Sequence, residues 1–144
     1  APSTITRLQN MGTPDYLISA ATQLVLAQRL ARRSCKDCRV PDEDVTPKVL
    51  TDLGFSPELA SRVKALKGKG CPKCKDSGYK GRQGIYEILV VSKPVKEAIL
   101  RKATTPEIRE IAVKEGFQTL QDMGRRLIAN GELNFREYER VLSS

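Results

Sequence analysis

The 144-residue sequence predicts a mainly helical α+β fold with one small subdomain built on four cysteines. Apolar residues recur at spacings of three and four along most of the chain, which is typical of amphipathic helices. A single run, residues 85–91, holds only one charged residue and predicts a mostly buried strand. The four cysteines fall into two Cys-x-x-Cys pairs. The length suffices for one ordinary domain or for two small domains that share an interface.

Residues 14–33 predict the strongest helix of the chain. Thr13 is a suitable cap, Pro14 suits the first helical position, and a wide apolar band follows. Such a band predicts a helix that is mostly buried. The last turn carries arginines, which suit the negative end of the helix dipole; they are Arg29, Arg32 and Arg33.

The two Cys-x-x-Cys pairs are Cys35 with Cys38 and Cys71 with Cys74. A two-residue gap lets both sulfurs of one turn point at a common centre, and two such turns complete a tetrahedron of thiolates. Protein would fill all four positions, which predicts a structural metal rather than a catalytic one. We therefore predict that these four cysteines bind one Zn²⁺ ion, the default metal for four thiolates.

Other roles explain the cysteine spacing less well. Two disulfides need an oxidising compartment, and no secretory or other targeting segment is recognisable. A thioredoxin-type site needs one Cys-x-x-Cys at the start of a helix in a βαβ unit, whereas both pairs here lie in loop-like sequence. Four unrelated buried thiols would leave the repeated spacing unexplained.

Two short helices are predicted between the cysteine pairs. Thr46 with Pro47 and Ser56 with Pro57 each combine a capping side chain with a proline, and Gly54 ends the first helix. This segment is too short for a core of its own, so we expect the metal to hold it in place.

Four further helices are predicted after the strand. Each begins at a capping residue and continues with apolar residues at helical spacing, and Gly116 ends the second. The predicted starts are Ser92, Thr105 with Pro106, Thr119 with Asp122, and Asn134 with Glu137, the last two in capping-box patterns.

The composition excludes several kinds of catalysis. The sequence has no histidine, which removes serine–histidine triads, histidine-ligated catalytic zinc and the usual general base. It also lacks a phosphate-binding loop of the G-x-x-x-x-G-K-[ST] kind. We therefore expect no catalytic residue and no enzyme activity in this stretch by itself.

The net charge of +8 is concentrated around the cysteine pairs. Residues 29–39 hold five basic residues and one acidic residue, and residues 62–82 hold eight basic residues and one acidic residue. A nucleic-acid-binding patch is one interpretation, although Tyr79 is the only aromatic residue among the lysines there. The other is that lysines balance the negative charge of four thiolates around Zn²⁺; these are Lys36, Lys69, Lys73, Lys75 and Lys80.

The order of these motifs resembles the carboxy-terminal region of the secretion ATPase superfamily. Ala1–Leu8 is similar to the stretch that follows the histidine box in those enzymes. Type IV pilus assembly ATPases, which drive pilus extension, are the most similar members on residues 26–55, and type II secretion ATPases are the alternative. The motifs that carry the resemblance are Gln28–Arg33, the first cysteine pair, Gly70–Cys74, Gly78–Arg82 and Gly84–Glu87.

The resemblance implies a carboxy-terminal piece of a P-loop, RecA-like ATPase. Residues 1–33 would be helices that complete the ATPase core, residues 34–82 a zinc-binding subdomain, and residues 83–144 a buried strand followed by a helical subdomain. The four cysteines carry over as zinc ligands. No catalytic residue carries over, because the motifs that bind ATP and Mg²⁺ in such enzymes precede the part matched here. Gln28 and Arg29 lie in a motif typical of the family, without an assigned nucleotide contact.

The resemblance also implies a hexameric motor at the cytoplasmic face of the inner membrane. The partners of this stretch would be the rest of the ATPase, neighbouring subunits, the inner-membrane platform protein and an anionic lipid surface beside it. Its role would be that of a structural adaptor between ATP hydrolysis and the platform, and no specific nucleic acid is expected. Two alternatives stay open: a free-standing zinc ribbon that binds nucleic acid, and a chaperone-type zinc module, which usually repeats its cysteine pairs more than twice.

Overall fold

The computed structural model describes residues 1–142 and has the mixed helical and β architecture expected from the sequence, with the four cysteines clustered. Residues 143 and 144, the end of the predicted carboxy-terminal subdomain, lie outside the described residues. The helices are α1 (Pro2–Asn10), α2 (Asp15–Ala21), α3 (Pro47–Leu53), α4 (Pro57–Arg62), α5 (Lys93–Leu100), α6 (Thr105–Lys114), α7 (Leu120–Ala129) and α8 (Phe135–Leu142). The strands are β1 (Leu24–Ser34), β2 (Arg39–Pro41), β3 (Leu66–Gly68) and β4 (Tyr79–Val90), and two 3₁₀ turns span Lys36–Cys38 and Pro72–Cys74.

The chain divides into two units, each assembled from two separate stretches. The first unit joins Ala1–Gln28 to Tyr86–Thr119, and the second joins Arg29–Ile85 to the chain from Leu120 onwards. Among residues 1–142, no helix combines the length and the apolar character that crossing a membrane requires.

The first unit has its own apolar core under four helices. Helix α5 packs against α2 and α6, and α1 packs against α6. The hydroxyls of Thr6 and Thr105 lie 2.5 Å apart and link α1 to α6. The core consists of Ile5, Ile18, Leu89, Val91, Val95, Ala98, Ile99, Ala103, Ile108 and Ala112, all at most 7% exposed.

The helix predicted over residues 14–33 is wrong beyond its first two turns. Helix α2 ends at Ala21, Thr22 is extended with φ −85° and ψ 120°, and strand β1 begins at Leu24. The leucines, alanines and arginines of this stretch favour a helix locally, but pairing with β4 overrides that preference. Thr13 is not the cap either, because Pro14 occupies the position before α2 and no side chain caps the helix.

Strand β4 confirms the predicted strand, but the prediction that it is mostly buried is wrong. Its buried and exposed residues alternate, because it pairs with β1 in a sheet of only two strands and one face is left open. Strands β1, β2 and β3 were not predicted. The exposed side chains of β4 include Tyr86, Ile88 and Val90, at 44%, 49% and 62% exposure.

The second unit contains the antiparallel β2–β3 ladder and the helix pairs α3–α4 and α7–α8. In the ladder, Arg39 lies opposite Gly68. Gly124 allows the close approach of α7 to α8, since a Cβ at this position would collide with Leu142 and Tyr138.

Most predicted helix starts are confirmed. The hydroxyls of Thr46, Ser56 and Ser92 accept hydrogen bonds from backbone N–H groups in the first turns of α3, α4 and α5. Gly54 ends α3 in the left-handed conformation, with φ 115°. The predicted start at Thr105 is shifted by one residue, because the Thr104 hydroxyl makes the capping bond to α6.

Candidate metal centre

The two 3₁₀ turns bring the four cysteines together. Cys35 follows β1 and Cys38 ends the first turn, while Cys71 precedes the second turn and Cys74 ends it. The β2–β3 ladder joins the turns, because β2 begins directly after Cys38 and the Lys69 N–H donates to the Cys38 carbonyl over 2.9 Å. As a result the four Sγ atoms all lie within 4.8 Å of one another.

The sulfur separations fit a tetrahedral metal site. The Sγ atoms are 3.8 Å apart in the pairs Cys35–Cys71 and Cys38–Cys74, and 3.7 Å apart in Cys71–Cys74. Thiolates at ~2.3 Å from a central Zn²⁺ would lie about 3.8 Å apart, since a tetrahedron's edge is about 1.63 times its radius. None of the four forms a disulfide, and three are buried. The arrangement could therefore hold one metal ion in a largely dry site.

Backbone amides face two of the sulfurs. Gly70 N–H donates to Cys38 Sγ, and the N–H groups of Cys71 and Gly78 donate to Cys74 Sγ, each over 3.3 Å. Such donors stabilise thiolates and fix the orientation of metal ligands. The amides are directed by left-handed backbone at Gly70, Lys75, Asp76 and Gly78, with φ 104°, 55°, 60° and 80°.

The two thiols that end the 3₁₀ turns, Cys38 and Cys74, differ in their environments. Burial raises the pKa of Cys38 to about 12, although the Gly70 amide opposes this effect. Burial acts on Cys74 in the same direction, but the amides of Cys71 and Gly78 outweigh it and lower the pKa of Cys74 to about 6. Four thiolates at this spacing need a central cation, because their mutual repulsion would otherwise keep some of them protonated.

Gly68 and Gly78 allow two backbone segments to touch beside the cluster. A Cβ on Gly68 would collide with the Gly78 carbonyl, and a Cβ on Gly78 would lie 2.5 Å from the Gly68 carbonyl oxygen. The Gly78 carbonyl also accepts a hydrogen bond of 2.9 Å from the Cys35 N–H. Any larger side chain at either position would therefore disturb the cysteine turns.

The lysines that were expected to balance the thiolates lie around the centre without bonding to it. Within residues 1–142, the hydrogen bonds to the sulfurs come from backbone amides, and none comes from a lysine. Lys73 instead lies 3.7 Å from the Asp37 carboxylate. Both side chains are exposed, so this pair contributes little to stability. That these lysines balance the thiolate charge at a distance, without bonding to the sulfurs, stays a prediction.

A buried carboxylate in the second unit was not predicted as a functional residue. Glu137 in α8 is 0% exposed and accepts hydrogen bonds from the Arg32 backbone N–H at 2.6 Å and from the Arg32 guanidinium at 2.9 Å. Arg140 donates two more, at 2.8 and 2.6 Å. Arg32 also lies over the Tyr79 ring, 4.1 Å from its centroid. This network ties β1 and β4 to α8.

The predicted capping box at the start of α8 is half right. Asn134 accepts the Glu137 N–H over 2.7 Å, as predicted, but the Glu137 carboxylate bonds to the two arginines. Burial would raise the pKa of Glu137, and hydrogen bonds from Arg140 and Arg32 outweigh it and lower the pKa to about 2 from its ordinary 4.5. The sequence signal was a charged residue among the apolar positions of α8; its partner Arg32 is 105 residues away.

Comparison with known proteins gives a consistent family. The profile of the Type II/IV secretion system protein family matches residues 1–140. The chain is 36% identical over 137 residues to the type IV pilus assembly ATPase PilB of Myxococcus xanthus, covering 95% of this chain and 24% of that protein. For PilB of Thermus thermophilus the identity is 42% over 127 residues, covering 86% of this chain and 14% of that protein.

A type II secretion protein is also similar to this chain. HxcR of Pseudomonas aeruginosa is 33% identical over 141 residues, which covers 98% of this chain and 26% of that protein. The chain thus spans about a quarter or less of the length of these curated relatives. With a profile that matches residues 1–140, the chain belongs to the Type II/IV secretion system protein family.

Proposed function

We propose that this chain is the carboxy-terminal, zinc-binding region of a type IV pilus assembly ATPase and acts there as a structural adaptor. It would pass motion from ATP hydrolysis to the platform protein at the cytoplasmic face of the inner membrane. The observation that carries the proposal is the family match over residues 1–140 together with the four-cysteine cluster. A type II secretion ATPase is the second candidate, since HxcR is 33% identical to this chain. A role in pilus assembly is favoured because the two PilB proteins are 36% and 42% identical.

In this proposal each stretch has a separate task. Residues 1–33 complete the ATPase core of the longer protein, residues 34–82 form the zinc subdomain, and residues 83–144 form a strand followed by a helical subdomain. Zn²⁺ would be held by the four cysteines and would supply rigidity rather than chemistry, because no ligand position is left open. The ATP and Mg²⁺ sites would lie in the preceding part of the protein.

An open apolar sheet face in the first unit supports the proposal that residues 1–33 complete the ATPase core. Val25, Leu89 and Val91 pack in the core of this unit, so the alternate residues Leu24, Val90, Leu26 and Ile88 lie on the opposite face of the β1–β4 sheet. These four side chains are 55%, 62%, 50% and 49% exposed, in that order. A contiguous apolar face of this kind marks a contact site.

The occupant that we propose for this face is the preceding ATPase core of the same polypeptide. The curated relatives are about four times longer than this chain or more, so most of such a protein lies outside the residues described. A two-stranded sheet is at best marginally stable alone and needs further strands or a packed layer. An upstream core layer would cover the face that includes Leu24, Leu26, Ile88 and Val90.

Contact with the platform protein is tested by charge reversal near the metal centre. Changing Lys73, Lys75 and Lys80 to Glu in the full-length protein should weaken binding to the platform's cytoplasmic part by about tenfold or more at low salt. The reason is that a rigid basic surface attracts an acidic partner or anionic headgroups. Zinc content and basal ATP hydrolysis should stay unchanged, and pilus assembly should fall.

A matched control separates this surface from net charge in general. Lys48, Lys64 and Lys93 are also exposed, and changing them to Glu alters the charge equally away from the cysteine turns. That control should bind the platform as the wild type does. Undiminished platform binding by the first variant would contradict the docking proposal. Tight, sequence-selective binding to DNA or RNA at physiological salt would favour the nucleic-acid alternative instead.

We expect residues 1–144 alone not to hydrolyse ATP. Phosphoryl transfer needs a phosphate cradle and a magnesium site, and the sequence contains no phosphate-binding loop. A coupled ATPase assay on the purified chain, with a Cys74→Ser variant as a second preparation, should give background rates for both. Turnover that survives this variant and disappears on replacing another residue of the chain would contradict the expectation.

A further inference from the structure

A basic cavity of about 290 Å³ lies in the second unit, and of its lining residues only Lys80 belongs to the surface proposed to contact the platform. It is lined by Arg33, Lys36, Asp37 and Lys80, which come from the end of β1, the first 3₁₀ turn and the start of β4. Asp37, the single carboxylate in the lining, already lies 3.7 Å from the Lys73 ammonium. The cavity lining therefore offers no unpaired carboxylate to Arg33, Lys36 or Lys80.

Arg33 in particular lacks a counter-charge. Its Nη2 donates to the neutral side chain of Gln83 over 2.6 Å, and its Nε is buried without a hydrogen-bond partner. In the part of the chain that the structure describes, no carboxylate lies within 4 Å of this guanidinium. A half-buried guanidinium with only a neutral partner is unfavourable, and an anion in the cavity would offset that cost.

Four thiolates around Zn²⁺ would add a net charge of −2 near this cavity, which opposes anion binding. The stretches of sequence around the cavity carry a positive charge larger than this negative charge. Residues 29–39 contain five basic residues and one acidic residue, and residues 62–82 contain eight basic residues and one acidic residue. Residues 40–61 add one basic residue and five acidic residues, so residues 29–82 keep a net positive charge even with the charge of the metal centre included.

We propose that this cavity binds a phosphate group, carried either by a soluble phosphate or by a lipid headgroup. A guanidinium with two ammonium groups suits phosphate, which carries about two negative charges at neutral pH, better than it suits a singly charged carboxylate. The cavity volume is near the lower end of ligand pockets, about 300 Å³, so it fits a small group. The proposal does not depend on the platform contact and holds or fails separately from it.

The test uses the Nε–H resonance of Arg33 in the zinc-loaded chain. Because this N–H is buried, we expect slow exchange with water and a resolvable NMR signal, assigned by its loss in Arg33→Gln. Titration with inorganic phosphate should shift it with saturation, whereas acetate and chloride at equal ionic strength should not. Lys36→Gln with Lys80→Gln should weaken the apparent phosphate affinity by at least about tenfold. Both lysines are exposed, so the double variant should keep its zinc and its fold.

The control is Lys69→Gln with Lys75→Gln, which removes the same charge from exposed positions outside the lining. It should bind phosphate within about twofold of wild type, since charges that do not touch the ligand are screened by salt. Competition by phosphatidate vesicles, but not by phosphatidylcholine vesicles, would assign the site to a lipid headgroup, and no competition would assign it to soluble phosphate. A linear shift that acetate reproduces, or equal weakening by the control pair, would overturn the proposal.

Discussion

Replacing Cys38 by serine should abolish zinc binding and unfold the region of the cysteine turns, residues 35–81. Cys38 supplies a sulfur 3.8 Å from that of Cys74, and its Sγ accepts the Gly70 N–H. Binding of structural zinc contributes apparent folding free energies of about 10–16 kcal/mol in zinc-finger peptides, and serine does not replace a thiolate ligand. This is the largest effect that we expect from any single substitution in the chain.

Hydrogen exchange measured by mass spectrometry distinguishes local from global unfolding in this variant. Amides of residues 35–81 should lose most of their protection, while α5 and α6 should stay protected because the first unit has its own core. Lys36→Ser is the matched control within the same turn, since Lys36 is exposed and is not one of the proposed zinc ligands. Unchanged protection of residues 35–81 in Cys38→Ser would contradict a structural role for the metal.

Replacing Glu137 by glutamine should destabilise the second unit by about 3 kcal/mol at neutral pH. Removing one member of a buried ion pair costs about 3–5 kcal/mol, and the low end applies because Arg32 and Arg140 are 48% and 54% exposed and can be hydrated. Urea denaturation followed by circular dichroism measures the difference. Glu43→Gln removes an equal charge from an exposed site and should change stability by less than about 0.5 kcal/mol.

The Glu137 contribution should depend on pH in a defined direction. The pKa of Glu137 in the folded chain is lowered to about 2 from its ordinary 4.5. The carboxylate therefore adds stability above pH 4.5, and this is lost as the pH falls from 4.5 towards 2. The stability difference between wild type and Glu137→Gln should shrink over that range. A difference that is constant with pH would show that glutamine acts through packing and not through charge.

Local signals predicted most of the helix starts and the two cysteine pairs of the candidate metal centre. Thr46, Ser56 and Ser92 cap helices through hydrogen bonds that span only three residues, so the sequence alone contains both partners. The spacing of two residues within each cysteine pair is likewise visible in the sequence and predicted the common metal site. The caps depend only on neighbours along the chain, whereas the two cysteine pairs meet across 36 residues.

Non-local partners explain what the sequence did not predict. Residues 24–33 have good helix formers, and they form a strand because β4, about 60 residues later, pairs with them. Glu137 bonds to Arg32 across 105 residues, and the sequence near either position does not predict this contact. Arg33 and Lys80 likewise carry no sequence signal of a shared cavity, because only the pairing of β1 with β4 brings them together.

The most direct test of the account is X-ray absorption spectroscopy at the zinc edge of the natively purified chain, combined with metal analysis and thiol titration. We expect one zinc per chain, a shell of four sulfurs at ~2.3 Å, and four thiols that react only after chelation. Two disulfides, or four reactive thiols in a folded metal-free chain, would contradict the assignment of Cys35, Cys38, Cys71 and Cys74 as zinc ligands.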